Sequence, residues 1–250
     1  MMDLLIVTTY NRPECLAVCL EHIARTGLYN TDVLVSEDAR SRPKHIEIET
    51  EEVLRRFDFP SIRRTDCRQT WDNIYQCLHA ASNRELVYAI EDDQIVESDF
   101  IRFHQKVQSQ FSPFISCGES WCTPTTESEI GFSHSDSLVR ACCMSGKNLR
   151  RILNTEQKYN QHFEVLAQNY LIKNKLLSIF PTTPRSYDLN VRGANLGEFQ
   201  PSGTLDEKIV QIRGRIPQLR HPKTPDIFVI GCDRRDRWQK AYQAQEQWGF

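Results

Sequence analysis

The first hundred residues alternate between apolar, strand-like runs and segments of helical periodicity, and this alternation constrains the fold most. The run at 4–9 is continuously apolar and β-branched, as in a strand buried on both faces of a parallel sheet, and another strand is expected at 85–90. Shorter strands are expected at 32–36 and 62–65. Helices are expected where apolar residues recur every three or four positions, at 14–26, 45–57 and 70–82. This order predicts βαβ units, and therefore an α/β protein with a mostly parallel central sheet flanked by helices.

The second half of the chain is less regular. Strands are expected at 114–117, 139–144 and 177–180, and helices at 99–111, 146–154, 160–177 and 206–215. The polar stretch 122–137 is expected to be a loop, and residues 123–135 within it could act as a lid that orders when a donor binds. Residues 181–203 are rich in Pro, Gly and Asn, so they are expected to be irregular. The tail has an apolar patch at 227–230.

Composition excludes several classes of protein. A chain of 250 residues with 40% hydrophobic and 26% charged residues suits a soluble globular domain. The net charge of -2 gives no global basic field, so we do not expect nucleic acid as a partner. No stretch approaches the ~20 apolar residues of a membrane span. The N-terminus does not resemble a signal peptide, so we expect a cytoplasmic location.

The nine cysteines resemble neither a disulfide framework nor a zinc site. Their number is odd, they are scattered through apolar runs, and no CxxC pair occurs. We expect a reducing compartment. Five of them are predicted to be small buried residues: Cys15, Cys19, Cys77, Cys142 and Cys143. Cys67 precedes a polar stretch and is predicted to be exposed.

Polar residues follow three of the predicted strands at the point where each strand ends. The first strand ends in 8–12, Thr-Thr-Tyr-Asn-Arg; the second ends in Glu37-Asp38; the fourth ends in Glu91-Asp92-Asp93. In open parallel α/β sheets, ligands bind beyond the carboxyl ends of the strands. None of these turns contains GxGxxG or GxxxxGK[ST], which argues against a dinucleotide dehydrogenase and a P-loop NTPase.

The triplet Glu91-Asp92-Asp93 is the sharpest chemical signal. Three adjacent carboxylates repel one another, and a cation relieves that repulsion. Mg²⁺ and Mn²⁺ prefer one or two carboxylates together with phosphate oxygens and water. A cation held here could stabilise a diphosphate leaving group. The alternative is a solvated acidic loop without a ligand.

The segment 88–100, YAIEDDQIVESDF, resembles the metal-site segment of GT-A fold glycosyltransferases. The opening 6–13, IVTTYNRP, is similar to the first strand and turn of those families, and 32–38, DVLVSED, is similar to their second strand. The EDD form followed by Ser98-Asp99-Phe100 most resembles the N-acetylglucosaminyltransferase I group. The resemblance implies a GT-A-like domain at 1–204, with a nucleotide-sugar-binding half at 1–103 and an acceptor-side half at 104–204. Residues 205–250 are expected to be a C-terminal appendage.

The resemblance also implies roles for individual residues. Asp93 would be the metal ligand, with Glu91 at the ribose or nucleotide and Asp92 at the diphosphate or the metal's water shell. The remaining nucleotide-sugar contacts would come from Thr8, Thr9, Tyr10, Arg12, Glu37, Asp38 and Arg68. Glu164 would be the catalytic base, with His162 as the second candidate.

Several further residues are weaker candidates by the same resemblance. Arg192 could neutralise the diphosphate, and Asn195 stands where some members have a metal-binding histidine; His221 is another late candidate. Glu119, Ser120 and Trp121 follow a predicted strand and could contact the sugar or the acceptor.

The sequence therefore predicts a metal-dependent glycosyltransferase. It would use Mn²⁺ or Mg²⁺ and move a sugar from a nucleoside-diphosphate sugar, expected to be a UDP-sugar, to an acceptor hydroxyl with inversion. The acceptor could be a glycan, a protein or a small molecule. Two alternatives stay open. One is a nucleotidyltransferase, although the turn after the first strand lacks that class's glycine-rich loop. The other is a non-catalytic nucleotide-sugar-binding protein of the same fold.

Overall fold

The computed structural model describes residues 2–40, 42–67, 70–119, 130–133, 141–155, 162–189 and 227–229. Within these ranges lie eleven strands and six helices. The strands are β1 (Asp3–Thr9), β2 (Thr31–Asp38), β3 (Ser61–Arg64), β4 (Leu86–Glu91), β5 (Gln94–Val96), β6 (Ile115–Cys117), β7 (Ile130–Ser133), β8 (Cys142–Ser145), β9 (Ser178–Pro181), β10 (Ser186–Asp188) and β11 (Ile227–Val229). The helices are α1 (Pro13–Ala24), α2 (Lys44–Phe57), α3 (Thr70–Ala81), α4 (Phe100–Phe111), α5 (Gly146–Leu153) and α6 (Phe163–Asn174).

Nine of the strands form one twisted sheet in the order β11-β7-β9-β6-β8-β4-β1-β2-β3. The pairs β1/β2, β1/β4, β2/β3, β6/β9 and β7/β11 are parallel. β8 runs antiparallel to both β4 and β6, and β7 runs antiparallel to β9. β1 to β4, β6 and β9 therefore share one direction, and their carboxyl ends meet at one edge of the sheet. β5 and β10 form a separate antiparallel pair.

The sheet is buried between two layers of helices. Leu5 and Val7 of β1 pack in the core cluster that includes residues of α1 and α4. Leu4 and Ile6, which alternate with them, face the cluster formed with α3, α5 and α6. Alternating residues of one strand thus enter two different cores, as expected for a strand covered on both faces. This explains why the run at 4–9 is apolar throughout.

The turn from β1 to α1 is determined by its sequence. Asn11 has a φ of 53°, in the left-handed region that Asn tolerates better than most residues. Arg12 then has a φ of -133° and a ψ of 62°, outside the helical region that is disfavoured for a residue before proline. Pro13 begins α1, where its missing N–H costs no helical hydrogen bond. From this turn the Arg12 side chain reaches the carboxylates of Asp92 and Asp93 after β4.

The long elements predicted within the described residues are confirmed, and four short strands, β5, β7, β10 and β11, were not predicted. β5, β7 and β10 lie in polar segments whose strand conformation depends on pairing with distant residues. β7 lies inside the predicted loop 122–137, and β10 lies inside the predicted irregular stretch 181–203. The prediction for Cys67 was wrong, because Cys67 is buried, whereas the five cysteines expected to be buried are so.

Some predictions lie outside the described residues: the helix at 206–215, most of the 122–137 loop, and most of the 205–250 appendage, whose boundary stays a prediction. The apolar patch at 227–230 contributes β11, which pairs with β7. Among the described helices, none is both long and apolar enough to cross a membrane.

Candidate functional site

The candidate site lies at the edge of the sheet where β1 and β4 end side by side. The chain proceeds from β1 to β2 and β3 on one side, and then crosses to β4 on the other side of β1. Such a reversal of strand order opens a crevice beyond the carboxyl ends of the two central strands, and ligands of open α/β sheets bind there. Thr8 of β1 pairs in register with Glu91 of β4, so both polar segments predicted from the sequence reach this crevice.

The acidic triplet forms a tight turn between β4 and β5. Glu91 is the last residue of β4, and Asp92 and Asp93 make the turn. The backbone N–H of Asp92 donates to the carbonyl of Thr8 at 3.0 Å, and the N–H of Leu189 donates to the carbonyl of Asp93 at 2.8 Å. The turn is therefore fixed to β1 on one side and to the end of β10 on the other.

Asp92 is completely buried, and protein groups surround its carboxylate. The Thr9 hydroxyl donates to Oδ2 at 2.6 Å, and the Tyr10 backbone N–H donates to the same oxygen at 3.2 Å. Arg12 donates from Nη2 to Oδ1. Asp92 thus attaches the β1–α1 turn to the acidic turn. Thr9, Tyr10 and Arg12, predicted as nucleotide contacts, meet Asp92 here.

Arg12 holds Asp93 as well as Asp92. Its Nη1 donates to Asp93 Oδ2 at 2.7 Å, and only 15% of its side chain is exposed. Burial alone would lower the pKa of Arg12, but Asp92 and Asp93 reverse that effect and raise it. Burial raises the pKa of Asp92 to about 6, and the positive charge of Arg12 keeps it from rising further. The guanidinium therefore serves as an internal cation between two carboxylates.

Glu91 and Glu164 come together on the other side of the acidic turn. Glu91 is accessible to solvent, yet many protein atoms surround it, as expected of a group on the floor of a crevice. This burial raises the pKa of Glu91 to about 8, and the charges of Asp93 and Glu164 add to the rise. Glu164 lies in the first turn of α6, which begins at the same edge of the sheet. The predicted base and the predicted donor site thus share one crevice.

Glu37 and Asp38, expected at the nucleotide base, are buried and each is paired with an arginine. Arg42 donates from Nη1 to Glu37 Oε2 at 2.7 Å. Arg40 donates from Nε and Nη2 to the Asp38 carboxylate at 2.7–3.0 Å, and its guanidinium lies 5.8 Å from the centre of the Tyr10 ring. Their role in base recognition stays a prediction.

Arg40 and Arg42 were missed by reasoning from the sequence. They stand two and four residues beyond the end of β2, in the segment 39–44, ARSRPK. The sequence did contain an indication of these ion pairs, because two arginines directly after an acidic strand end can fold back onto its carboxylates. Arg42 also donates from Nε to the Asn11 side chain at 3.1 Å, which joins the β2 turn to the β1 turn.

Six of the candidates lie outside the described residues: Arg68, Ser120, Trp121, Arg192, Asn195 and His221. His162, the second candidate base, precedes α6, and its ring lies against Trp71 with centroids 4.7 Å apart. Glu119 follows β6 at the crevice edge. In the part of the chain that the structure describes, no three His, Cys, Asp or Glu side chains form a group that could hold a metal ion by themselves.

Similarity to known proteins was found at the level of structure. No protein-family model matches the chain, and no curated protein matches its sequence. S. aureus TarS 1–349 in complex with UDP-GlcNAc superposes with a TM-score of 0.56 at 11% identity, over 88% of this chain and 68% of that one. In another structure of the same fragment, the match covers 75% of this chain and 60% of that one, with a TM-score of 0.55 at 10% identity.

A nucleotidyl transferase from Methanothermobacter thermautotroptrophicus, Mth528, is also similar, with a TM-score of 0.52 and 13% identity over 87% of this chain and 98% of that one. None of these structures supports the narrower resemblance to N-acetylglucosaminyltransferase I, which stays a prediction. At such low identity, the similarity bears on the fold alone. The chain has the expected GT-A-like α/β fold, a mostly parallel central sheet flanked by helices.

Proposed function

We propose that this chain is a metal-dependent glycosyltransferase that moves a sugar from a UDP-sugar to an acceptor hydroxyl with inversion. The observation that carries the proposal is the acidic turn at the β1/β4 crevice, with Glu164 on its other side. The location is the usual ligand site of an open α/β sheet. A structural neighbour that binds UDP-GlcNAc gives further support for the choice of donor.

The acidic turn fits a metal site that is completed by the bound donor better than one whose ligands all come from the protein. Arg12 donates to Asp93 Oδ2, and among the described residues no hydrogen bond or ion pair involves Asp93 Oδ1. A single carboxylate oxygen, completed by donor phosphate oxygens and water, is a common set of ligands for Mg²⁺ and Mn²⁺. The guanidinium already between Asp92 and Asp93 indicates that this turn attracts positive charge. When bound, the cation would neutralise the negative charge that develops on the departing diphosphate.

The protein side of the reaction follows from the positions of Glu164 and Arg12. Glu164 accepts the proton of the acceptor hydroxyl as its oxygen attacks the anomeric carbon, and the bond from that carbon to the diphosphate oxygen breaks. Arg12 holds the acidic turn and adds positive charge beside the leaving group. Attack from the face opposite the diphosphate inverts the configuration.

The alternative hypothesis, that the chain is a nucleotidyltransferase, is based on its structural similarity to Mth528. It is not favoured, because the β1–α1 turn contains Tyr10-Asn11-Arg12 in place of a glycine-rich loop that would wrap a triphosphate.

A thermal-shift panel tests the proposal. UDP-GlcNAc, UDP-glucose, UDP-galactose, GDP-mannose and UTP are each added with and without Mn²⁺. We expect a UDP-sugar with Mn²⁺ to raise the Tm, because a ligand that binds only the folded state stabilises it. Release of UDP from that donor, with and without candidate acceptors, then separates a transferase from a binding protein. If no nucleotide-sugar shifts the Tm, the proposal is wrong; a shift with UTP alone, with pyrophosphate release, would favour the nucleotidyltransferase.

A further inference from the structure

Two cysteines lie opposite each other on neighbouring antiparallel strands next to the crevice. Cys117, the last residue of β6, pairs with Cys142, the first residue of β8. One rung further on, the N–H of Gly118 donates to the carbonyl of Ala141 at 2.9 Å. Hydrogen-bonded and non-hydrogen-bonded rungs alternate in an antiparallel pair, so the two cysteines occupy a non-hydrogen-bonded rung. The Cα atoms of such a rung are about 4.5 Å apart, a separation that a disulfide can bridge.

The two thiols also point to the same side of the sheet. Side chains directly opposite each other on an antiparallel pair share a face. Accordingly, Cys117 and Cys142 both belong to the core cluster beneath α3, α5 and α6. The next residue, Cys143, belongs to the cluster on the other face and cannot take part. The rung thus contains two thiols that face the same core.

The surroundings keep both thiols protonated in the resting protein. Burial raises the pKa of Cys117, with smaller contributions from Cys142 and Glu119. Burial also raises the pKa of Cys142 to about 12, and Glu164 adds to the rise. Because the thiolate is the reactive form, reaction requires transient exposure. The rung is the last between β6 and β8, with the Gly118–Ala141 hydrogen bond just beyond it, and strand ends open at lower cost than strand centres.

We propose that Cys117 and Cys142 are a modification site, at which a peroxide forms a reversible cross-strand disulfide beside Glu164. One thiol attacks the peroxide and becomes a sulfenic acid, with release of water or alcohol. The partner thiol attacks that sulfur, the S–S bond forms, and a water leaves. The two sulfurs lose two electrons in total, and the peroxide gains them. A dithiol reductant reverses the bond by thiol–disulfide exchange. The bond forms whether or not the crevice binds a nucleotide-sugar.

The same protein supplies an internal control pair. Cys15 and Cys19 are buried in α1 and separated by one helical turn. Residues at this spacing have Cβ atoms roughly 5–6 Å apart, beyond the 3.5–4.5 Å of a disulfide. Both pairs are buried, so a difference between them would reflect geometry rather than the presence of two nearby thiols.

Peptide mapping of the full chain tests the proposal. The folded protein is treated with hydrogen peroxide, free thiols are alkylated, and the tryptic peptides are analysed by mass spectrometry. We expect one cross-link, Cys117 to Cys142, formed faster as the pH rises toward the pKa of Cys142, with Cys15 and Cys19 left reduced. Because the disulfide closes a loop of intermediate length, the oxidised protein should melt roughly 5–10 °C higher.

Two alanine variants make the test specific. Cys142→Ala should abolish the cross-link, whereas the adjacent Cys143→Ala should retain it. A cross-link that survives Cys142→Ala, or that maps to Cys143 or to Cys122, a cysteine outside the described residues, would overturn the proposal. So would fully reduced Cys117 and Cys142 in folded protein under conditions that oxidise the cysteines of the urea-unfolded chain.

Discussion

Replacing Arg12 with methionine removes the internal cation of the acidic turn while keeping much of the side chain's volume. The perturbation leaves Asp92 fully buried with the Thr9 hydroxyl and the Tyr10 N–H as its remaining partners. Removing one partner of a buried ion pair typically costs about 3–5 kcal/mol, because the other charge stays buried and uncompensated. For a chain of this length, such a loss lowers the Tm by on the order of 10 °C.

Urea unfolding of four proteins measures this cost. Wild type, Arg12→Met, Asp92→Asn and the double variant form a double-mutant cycle, and we expect a coupling energy of about 2–3 kcal/mol. Arg84→Met is the matched control, because Arg84 pairs with Asp32 at the surface, with 33% and 41% of the side chains exposed. An exposed pair contributes roughly 0–1 kcal/mol. If Arg12→Met costs no more than Arg84→Met, or if the cycle is additive, Arg12 does not neutralise Asp92.

Three further outcomes are expected. Arg42→Met removes the ion pair with Glu37, in which the side chains of Arg42 and Glu37 are 2% and 6% exposed, so urea unfolding should show a loss of stability of about 3–5 kcal/mol. A loss below 1 kcal/mol would contradict the burial of that pair. Glu164→Gln should lower kcat by about 10²- to 10⁴-fold, because glutamine cannot accept the proton of the acceptor hydroxyl. Donor affinity should be retained, and the exposed-helix control Glu52→Gln should have no effect; equal kcat values for both variants would exclude Glu164 as the base. Folded Glu91 keeps its proton up to a pKa of about 8, above its ordinary 4.5, so wild type should lose stability as the pH rises between those values. Glu91→Gln should flatten the decline of Tm between pH 5 and 8, and identical slopes for the two proteins would refute the pKa assignment.

Elements of the fold that depend on local sequence could be predicted, whereas elements that depend on pairing with distant residues could not. β1 and β4 could be predicted from the sequence, because a strand that is covered on both faces is apolar along most of its length. β5 and β10 carry polar residues and are strands only because they pair with each other across about ninety positions of sequence. No local pattern records such a pairing, so both were missed. Cys67 was misjudged because it is buried although the sequence that follows it is polar.

The candidate site was predictable in position but not in its internal pairing. The acidic residues follow the strand that adjoins β1, and topology then places them at the crevice. The pairing of each carboxylate with its arginine depends on side-chain directions in the turns after β1, β2 and β4, and these directions cannot be read from the sequence. Asp92 was expected near the donor's diphosphate, yet its oxygens accept from Thr9, Tyr10 and Arg12. Asp93 is therefore the better candidate of the two for a ligand from outside the chain.

Calorimetric titration of UDP-GlcNAc into wild type and Asp93→Ala, each with and without Mn²⁺, tests whether Asp93 binds a cation that holds the donor. Asp32→Ala serves as the control, because Asp32 lies near the start of β2, at the opposite edge of the sheet. We expect Mn²⁺ to tighten donor binding to wild type and to Asp32→Ala but not to Asp93→Ala. Mn²⁺-dependent binding that persists unchanged in folded Asp93→Ala would contradict this expectation.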